Sequence, residues 1–258
     1  MSRVIALVSG AEAREFDTDL PYLSRALGDR GIITEIVDWE NASIDWSRFS
    51  MAIVRSPWDY HRRYPEFLTW LESVSAATVL HNSADVIRWN TNKEYLTELV
   101  DVGIGIVPTT FVHSAEELVT ITNEGMLERD IVVKPTISAG SNNTERHEES
   151  PVKAAAHLGF LLDAGFVAMV QPYQRFIDER GETGMVYYNG QLSHSFRKGA
   201  ILATGDNIKN GLFTVEEITP RTASGQEREL GKEVMTFVKK KFGEYPLYAR
   251  VDVVRGSA

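Results

Sequence analysis

The segment RSPWDYH, which begins at Arg55, places ligand-binding side chains directly after an apolar run, MAIV. A planar guanidinium suits a carboxylate because it can donate two parallel hydrogen bonds. Asp59 could receive an amine, and Tyr60 follows it. We therefore predict that Arg55, Asp59 and Tyr60 bind a substrate. Trp58 is explained equally well by packing at the end of the strand, and His61 is a weak candidate for a general base.

A second segment, SAGSNNT, begins at Ser138 and follows the apolar stretch VVKP. Its small residues let the backbone approach an anion and point N–H groups at it, and Lys134 adds a positive charge just before the loop. Two interpretations are open: a phosphate-binding loop, and a flexible hairpin tip beside a solvated lysine. The chain has neither a GxxxxGK[ST] loop nor a GxGxxG after its first apolar run.

Composition narrows the class of protein. The chain has 258 residues, of which 43% are hydrophobic and 24% charged, as in ordinary globular proteins with two or three small lobes. A formal charge of -9 and the lack of a long basic cluster argue against a nucleic-acid-binding protein. The chain has no cysteine, which excludes disulfides and thiolate chemistry. No apolar run reaches membrane-spanning length, and the start turns acidic too early for a signal peptide, so we expect a cytoplasmic protein.

The first third of the chain alternates apolar runs with amphipathic segments. This pattern predicts a parallel sheet that is covered by helices on both faces. Ligands of such sheets bind at the carboxyl ends of the strands, which is where RSPWDYH lies. The predicted strands are VIALVSG, ITEIVDW, SMAIVRS and TVLHNS, and the predicted helices are LPYLSRALGDRG and YPEFLTWLESV.

From residue 85 the pattern is mixed. Ser114 with Glu117 predicts a capping box at a helix start. Asn189 and Gly190 stand between two alternating segments and predict a tight β-hairpin. Helices are predicted at NKEYLTELVDVGI, SPVKAAAHLGFLLDAG and SGQERELGKEVMTFVKKKFG, and strands at VVKP, FVAMVQPY and LYARVDVV.

Several charged and ligand-type residues have simpler interpretations. Arg197 and Lys198 end a hairpin strand and could form a solvated edge. The histidines His81, His113, His147 and His157 lack metal-ligand spacing, so no zinc site is expected.

Taken in order, these motifs resemble the ATP-grasp superfamily of carboxylate-amine ligases, which includes glutathione synthetase and D-alanine-D-alanine ligase. The segments RSPWDYH, NKEYL, VVKPTISAGSNNT, VQPY and GMVYYNGQLSHSFRK are most similar to the cyclo-ligases of the cycloserine pathway, which close O-ureido-D-serine. The resemblance implies an α/β ATP-grasp fold in three parts. These are an N-terminal Rossmann-like pre-ATP-grasp domain at 1–84, a lid subdomain at 85–170 and a C-terminal ATP-grasp subdomain at 171–258.

The resemblance also implies a nucleotide site. Lysines would reach the ATP phosphates, the loop from Ser138 to Thr144 would fold over them, and the strand MVQPY would meet the adenine edge. Glu182 would hold the ribose hydroxyls, with Asp178 and Glu179 as rivals. The residues implied for nucleotide binding are Lys93, Lys134, Ser138, Gly140, Ser141, Gln171, Pro172, Tyr173 and Glu182.

For catalysis, the resemblance implies that Arg197, Lys209 and Arg250 stabilise the transferred phosphoryl group or a tetrahedral intermediate, and that Asp252 binds Mg²⁺. ATP would convert a small amino-acid-like carboxylate into an acyl phosphate, which a nitrogen attacks with release of ADP and phosphate. Positioning and well-placed cations supply most of the rate in such chemistry. A homodimer is a further expectation from the relatives.

One departure from the family pattern leaves alternatives open. The family brings further acidic or amide ligands soon after the position of Asp252, whereas this sequence ends VDVVRGSA. We expect a truncated sequence, because one strand of a pair would leave an exposed edge. A non-catalytic ATP-binding protein is the alternative, and a nicotinamide-dependent oxidoreductase is a third hypothesis that the missing glycine fingerprint opposes. The residues do not separate ligation from ring closure.

Overall fold

A computed structural model describes residues 4–200 and 217–256. The chain divides into two compact units, Met1–Asn90 and Thr91–Ala258. No helix in the described ranges is long and apolar enough to cross a membrane. The three-part division at residues 84 and 170 stays a prediction, and Lys209 lies outside the described residues.

The first unit contains the predicted parallel sheet, with strand order β2-β1-β3-β4. Its core includes an aromatic cluster of Trp39, Phe67 and Trp70, with Trp39 edge-on to both neighbours. The elements are β1 Val4–Ser9, α1 Leu20–Gly28, β2 Ile33–Asp38, β3 Met51–Ser56, α2 Tyr64–Ala77, β4 Leu80–His81 and α3 Ala84–Thr91, with 3₁₀ turns at Trp46–Arg48 and Tyr60–Arg63.

The second unit begins with an antiparallel sheet of order β5-β8-β6-β7. One face packs against two helices through a core that includes Val133, Leu158 and Val170. The elements are α4 Tyr95–Asp101, β5 Thr110–Val112, α5 Ala115–Asn123, β6 Ile131–Pro135, β7 Glu145–His147, α6 Pro151–Asp163 and β8 Ala168–Pro172, with a 3₁₀ turn at Met126–Glu128.

The predicted capping box of α5 is only half formed. The Ser114 hydroxyl accepts a hydrogen bond from the Glu117 backbone N–H, as expected. The Glu117 carboxylate instead accepts from the His113 backbone N–H at 2.7 Å and contacts the His113 ring. The nearby imidazole therefore draws the carboxylate one residue further back than the capping box requires.

A second antiparallel sheet, of order β11-β10-β9-β12, follows. The predicted hairpin is confirmed: Asn189 and Gly190 both have positive φ, as a tight turn between twisted strands requires. The elements are α7 Phe176–Arg180, β9 Glu182–Tyr188, β10 Gln191–Lys198, β11 Ile218–Pro220, α8 Gly225–Phe242 and β12 Tyr248–Val253.

The two faces of this second sheet differ in chemistry. Met185 and Tyr187 on β9 and Val253 on β12 point to one face, where they pack against α8. Side chains alternate between the faces of a strand, so the neighbouring positions point the other way. The register places Lys198 opposite Glu182 and Asp252 opposite Gly184, so the second face is charged.

Candidate active site

A cavity of about 380 Å³ lies within the second unit. This volume is within the usual range for small-molecule sites, which is about 300–1,000 Å³. Its walls come from both sheets and from the loop between β6 and β7. On β6, Ile131 and Val133 point into the core, whereas Val132 and Lys134 point into the cavity. Strand alternation thus gives one short segment both a packing face and a binding face.

Lys93 joins the cavity to the loop. Its Nζ donates to the Ser138 carbonyl oxygen at 2.9 Å and to the Thr136 carbonyl oxygen at 3.2 Å. Its backbone N–H also donates to Thr136, at 3.0 Å. Burial, together with the positive charge of Lys134, lowers the pKa of the Lys93 ammonium to about 8. Keeping Lys93 protonated in this buried position therefore costs free energy, and a bound anion would offset that cost.

Lys134 and Lys198 add two further cations to the cavity lining. Burial lowers the pKa of Lys134, Lys198 adds to this effect, and Glu182 opposes it. Lys198 has a side chain that is 8% exposed, and its Nζ lies 3.4 Å from a carboxylate oxygen of Glu182 and 3.4 Å from one of Asp252. Lys198 therefore lines the cavity, whereas the sequence left open whether Arg197 and Lys198 form a solvated edge.

Arg197 lies on the other face of the second sheet. It pairs across the sheet with Thr183, whose hydroxyl donates to Glu227 of α8 at 2.7 Å. Its own guanidinium donates to the Arg180 carbonyl oxygen at 3.1 Å and lies 3.3 Å from a Glu217 carboxylate oxygen. Arg197 is not among the residues that line the cavity, so the structure does not bring it together with the lysines.

The loop between β6 and β7 contributes small residues to the cavity. Ser138, Gly140 and Ser141 line it, and Thr144 is buried against it. Gly140 and Ser141 have φ of +60°, and Asn143 has φ of +52°. Glycine adopts these left-handed values without strain, and asparagine tolerates them better than most residues. Such a backbone can turn several N–H groups toward one point, as anion sites require.

The predicted adenine-binding strand lies at the cavity, and its polar groups have partners within the protein. Gln171 donates to the Thr109 hydroxyl at 2.7 Å, and the Pro172 carbonyl oxygen accepts from Gln174 at 3.1 Å. The Tyr173 backbone N–H donates to the Asp130 carbonyl oxygen at 2.9 Å. A carbonyl oxygen has two lone pairs, so that of Pro172 can still accept from a ligand. Val107, Val132, Ile177 and Val254 supply apolar wall.

Arg250 and Asp252, both predicted from the sequence, line the cavity side by side. The Arg250 guanidinium donates two hydrogen bonds of 2.8 Å to the two oxygens of Asp252. Each carboxylate oxygen can accept a further ligand. Mg²⁺ is typically held by one or two carboxylates and by substrate phosphates. Asp252 beside a lysine-rich cavity fits that description.

The three predicted substrate residues lie in the first unit. Arg55 has a terminal guanidinium nitrogen 3.4 Å from an Asp17 carboxylate oxygen. Asp59 is 4% exposed, and its two oxygens accept from Trp39 Nε1 at 3.0 Å and from Arg63 at 2.9 Å.

Tyr60 packs against Phe67, with ring centroids 5.4 Å apart. His61 Nδ1 lies 3.2 Å from the Trp58 carbonyl oxygen, which can accept a hydrogen bond from it, so a local partner orients this imidazole. The roles of Arg55, Asp59 and Tyr60 in binding substrate stay predictions, and Asp59 has an evident structural role.

The chain is similar to known proteins over nearly its whole length. Residues 5–82 match the family described as the N-terminal domain of the D-cycloserine synthetase DcsG. The cycloserine biosynthesis protein DcsG of Streptomyces lavendulae is 33% identical over 261 residues, which covers 98% of this chain and 87% of the relative.

Solved structures agree with this similarity. The crystal structure of D-cycloserine synthetase DcsG matches with a TM-score of 0.89 and 32% identity, over 98% of this chain and 87% of that one. D-alanyl-alanine synthetase A from Vibrio cholerae matches with a TM-score of 0.67 and 14% identity, over 98% of this chain and 84% of that one. The ATP-grasp ligase PsnB was solved with a precursor variant, Mg and ADP. It matches with a TM-score of 0.63 and 17% identity, over 100% of this chain and 87% of that one. The last two similarities show the shared fold. The chain therefore belongs to the DcsG family of cycloserine-pathway ligases, and it shares the fold of ATP-grasp ligases.

Proposed function

We propose that this ligase uses Mg-ATP to activate the carboxyl group of a small amino-acid-like substrate as an acyl phosphate, which a nitrogen then attacks, with release of ADP and phosphate. The observation that carries the proposal is the convergence of Lys93, Lys134 and Lys198 on one cavity beside a glycine- and serine-containing loop. Lys198 already lies between the carboxylates of Glu182 and Asp252, but burial lowers the pKa of both Lys93 and Lys134, so an anion beside these two lysines would stabilise their charged forms. A triphosphate supplies that charge.

The phosphate-binding residues lie on different elements. Lys134 extends from β6, while Lys93 precedes α4 and already donates to the loop at Ser138. We assign the phosphates to these two lysines and to the N–H groups of the loop. We assign to Lys198 and Arg250 the stabilisation of negative charge on the transferred group, because both line the cavity beside Asp252.

Asp252 would hold Mg²⁺ together with the phosphates. When bound, the ion would neutralise phosphate charge and orient the phosphate oxygens. The apolar wall suits the flat faces of adenine; it is formed by Val107, Val132, Ile177 and Val254. The Pro172 carbonyl oxygen can accept a hydrogen bond from an amino group. Glu182 is assigned to the ribose hydroxyls, since it lines the same cavity while Asp178 accepts from the Tyr173 hydroxyl.

Membership of this family supports a substrate that belongs to the cycloserine pathway. We propose intramolecular closure of O-ureido-D-serine, because the relative with 32% identity over 98% of this chain is a D-cycloserine synthetase. The substrate would carry both its carboxylate and its attacking nitrogen, so no second amine is needed. Substrate binding by the first unit, the cytoplasmic location and the homodimer remain predictions.

The test is ADP release from Mg-ATP with O-ureido-D-serine as the only other substrate. We expect release in step with ring formation, and we expect Lys134→Ala to lower both Mg-ATP affinity and ADP release by at least roughly tenfold. Lys232→Ala is the control, because that side chain is 71% exposed on α8. Saturable Mg-ATP binding without ADP release for any amino-acid-like acceptor would favour the non-catalytic alternative. Unchanged binding in Lys134→Ala would contradict the assigned site.

A further inference from the structure

Three metal-ligand side chains meet on the helix-facing side of β7. Glu145 and His147 are two residues apart on this strand, so they share a face, and His157 approaches from α6. His147 Nε2 lies 3.1 Å from His157 Nδ1, and one Glu145 oxygen lies 3.8 Å and 3.9 Å from these two nitrogens. Arg146, between them in sequence, points to the other face and pairs with Asp130.

The distances fit a small transition-metal ion. A triangle with sides of 3.1, 3.8 and 3.9 Å has a centre about 2.1 Å from each corner. Zinc binds imidazole nitrogen at about 2.0–2.1 Å and carboxylate oxygen at about 2.0–2.2 Å. One ion near the centre would therefore contact all three atoms with little movement of the side chains. Three protein ligands leave a fourth position for water.

The two imidazoles are placed as ligands rather than as surface residues. His147 is 5% exposed and His157 is 8% exposed, whereas the Glu145 side chain is 54% exposed and offers a route from solvent. The two imidazoles are therefore shielded from water, while the carboxylate keeps the group of three side chains accessible to an ion.

The protonation of the pair also suits a metal. Burial lowers the pKa of His147, with further lowering by the His157 ring and Lys153 and an opposing effect of Glu145. Burial likewise lowers the pKa of His157, while Glu145 and the Asn143 backbone oppose it. Neutral imidazole is the form that binds metals. Lys153 is a nearby positive charge that disfavours a cation, and the Glu145 carboxylate offsets it.

We propose that Glu145, His147 and His157 form a binding site for one divalent transition-metal ion of the zinc type. The site is separate from the Mg-ATP cavity, because it lies on the opposite face of the first sheet of the second unit from Val132 and Lys134. Nitrogen ligands select against Mg²⁺, which prefers oxygen. A bound ion would tie the end of the loop, through Glu145, to helix α6. The histidines are ten residues apart, so the fold brings together residues whose spacing gave no metal signal.

The test is a calorimetric titration of ZnCl₂ into the metal-free full chain in the presence of excess MgCl₂. We expect one ion per chain. Glu145→Gln should weaken binding by at least about tenfold, and His147→Gln with His157→Gln should weaken it by more than about 100-fold. His194→Gln is the control, since this histidine is exposed on the β9–β10 hairpin and should leave binding unchanged.

Folding and coordination need separate readouts. Glu145→Gln changes an exposed side chain, so its apo form should unfold at the same temperature as the parent, while losing most of the stabilisation that zinc gives the parent. Co²⁺ should give a visible absorption band that Glu145→Gln alters. Equal zinc affinity in the parent and the double-histidine variant, or sensitivity only to His194→Gln, would overturn the proposal.

Discussion

Lys198 on β10 is the cross-strand neighbour of Glu182 on β9, and its Nζ lies 3.4 Å from a Glu182 carboxylate oxygen. The same Nζ is 3.4 Å from Asp252. A lysine that is 8% exposed between two carboxylates is held in place without a ligand. Lys198, rather than Arg197, is therefore the cation that the hairpin presents to the cavity.

A break in the hairpin register produces this arrangement. At the turn, Tyr188 pairs with Gln191, and continuing that register would place Arg197 opposite Glu182. The register shifts between Leu192 and His194, so Lys198 takes the position instead. A bulge of one residue reverses the face of every side chain beyond it.

Replacing Lys198 should impair catalysis more than replacing Arg197. We expect Lys198→Met to lower kcat for ADP release by roughly 100-fold, because it removes a cation placed where negative charge develops. Arg197→Met should change kcat by less than about threefold, since its guanidinium lies on the α8 face. Steady-state ADP release measures both, with circular dichroism as a check on folding. The opposite ranking would restore the sequence-based assignment of Arg197.

Much of the site could be predicted because its motifs lie on regular elements. Lys134 and Asp252 follow from strand positions and from the family resemblance, and both line the cavity. The choice between Arg197 and Lys198 could not be predicted, because it depends on a bulge that no turn residue marks. The meeting of His147 with His157 likewise depends on how α6 packs on β7. Local patterns specify elements, while long-range contacts set register and packing.

The charge of Lys93 should make nucleotide binding depend on pH. Its pKa is lowered from 10.5 to about 8, so the free protein loses this charge as the pH rises through about 8. Bound phosphates favour the protonated form and raise the pKa. Mg-ATP affinity should therefore be nearly constant below pH 8 and fall above it, with proton uptake on binding.

Lys93→Arg tests the source of this pH dependence, because arginine stays charged. Part of the decline should persist, since the pKa of Lys134 is lowered as well. Calorimetry in buffers of different ionisation enthalpy measures the proton uptake. The same uptake in Lys93→Arg and the parent would show that Lys93 does not titrate in this range.

Asp252→Asn should raise the Mg²⁺ concentration needed for half-maximal ADP release by roughly tenfold or more, because the amide has no charge to offer the ion. Glu182→Gln is the matched comparison, since both carboxylates contact Lys198. It should raise the KM for ATP and leave the Mg²⁺ dependence unchanged. If both variants shift the Mg²⁺ dependence equally, the division of roles between metal and ribose is wrong.

Asp59→Ala should destabilise the protein in the absence of any ligand. It removes the acceptor of the Trp39 N–H and of the Arg63 guanidinium, and leaving a buried donor without an acceptor costs about 1–3 kcal/mol. Urea unfolding of the ligand-free chain measures the loss. A variant of unchanged stability that needs much more substrate would instead support the predicted role of Asp59 in receiving an amine.

Two glycines should respond in opposite ways to alanine. A Cβ at Gly231 of α8 would lie 2.1 Å from the Tyr187 hydroxyl oxygen, and Tyr187 is 2% exposed, so it has little room to move. We expect Gly231→Ala to lower the free energy of unfolding by about 1–3 kcal/mol through overpacking. Gly159 is in the interior of α6, and a Cβ there would meet nothing within 4 Å.

Gly159→Ala should therefore raise the free energy of unfolding by about 0.4–1 kcal/mol, because alanine has less conformational freedom to lose on folding. Urea unfolding midpoints at constant m-value measure both changes. The pair separates packing from helix propensity, since propensity alone favours alanine at both positions. Stabilisation by Gly231→Ala would mean that α8 lies further from the face of the second sheet that carries Met185 and Tyr187. It would therefore contradict the packing that directs Lys198 and Asp252 to the opposite face.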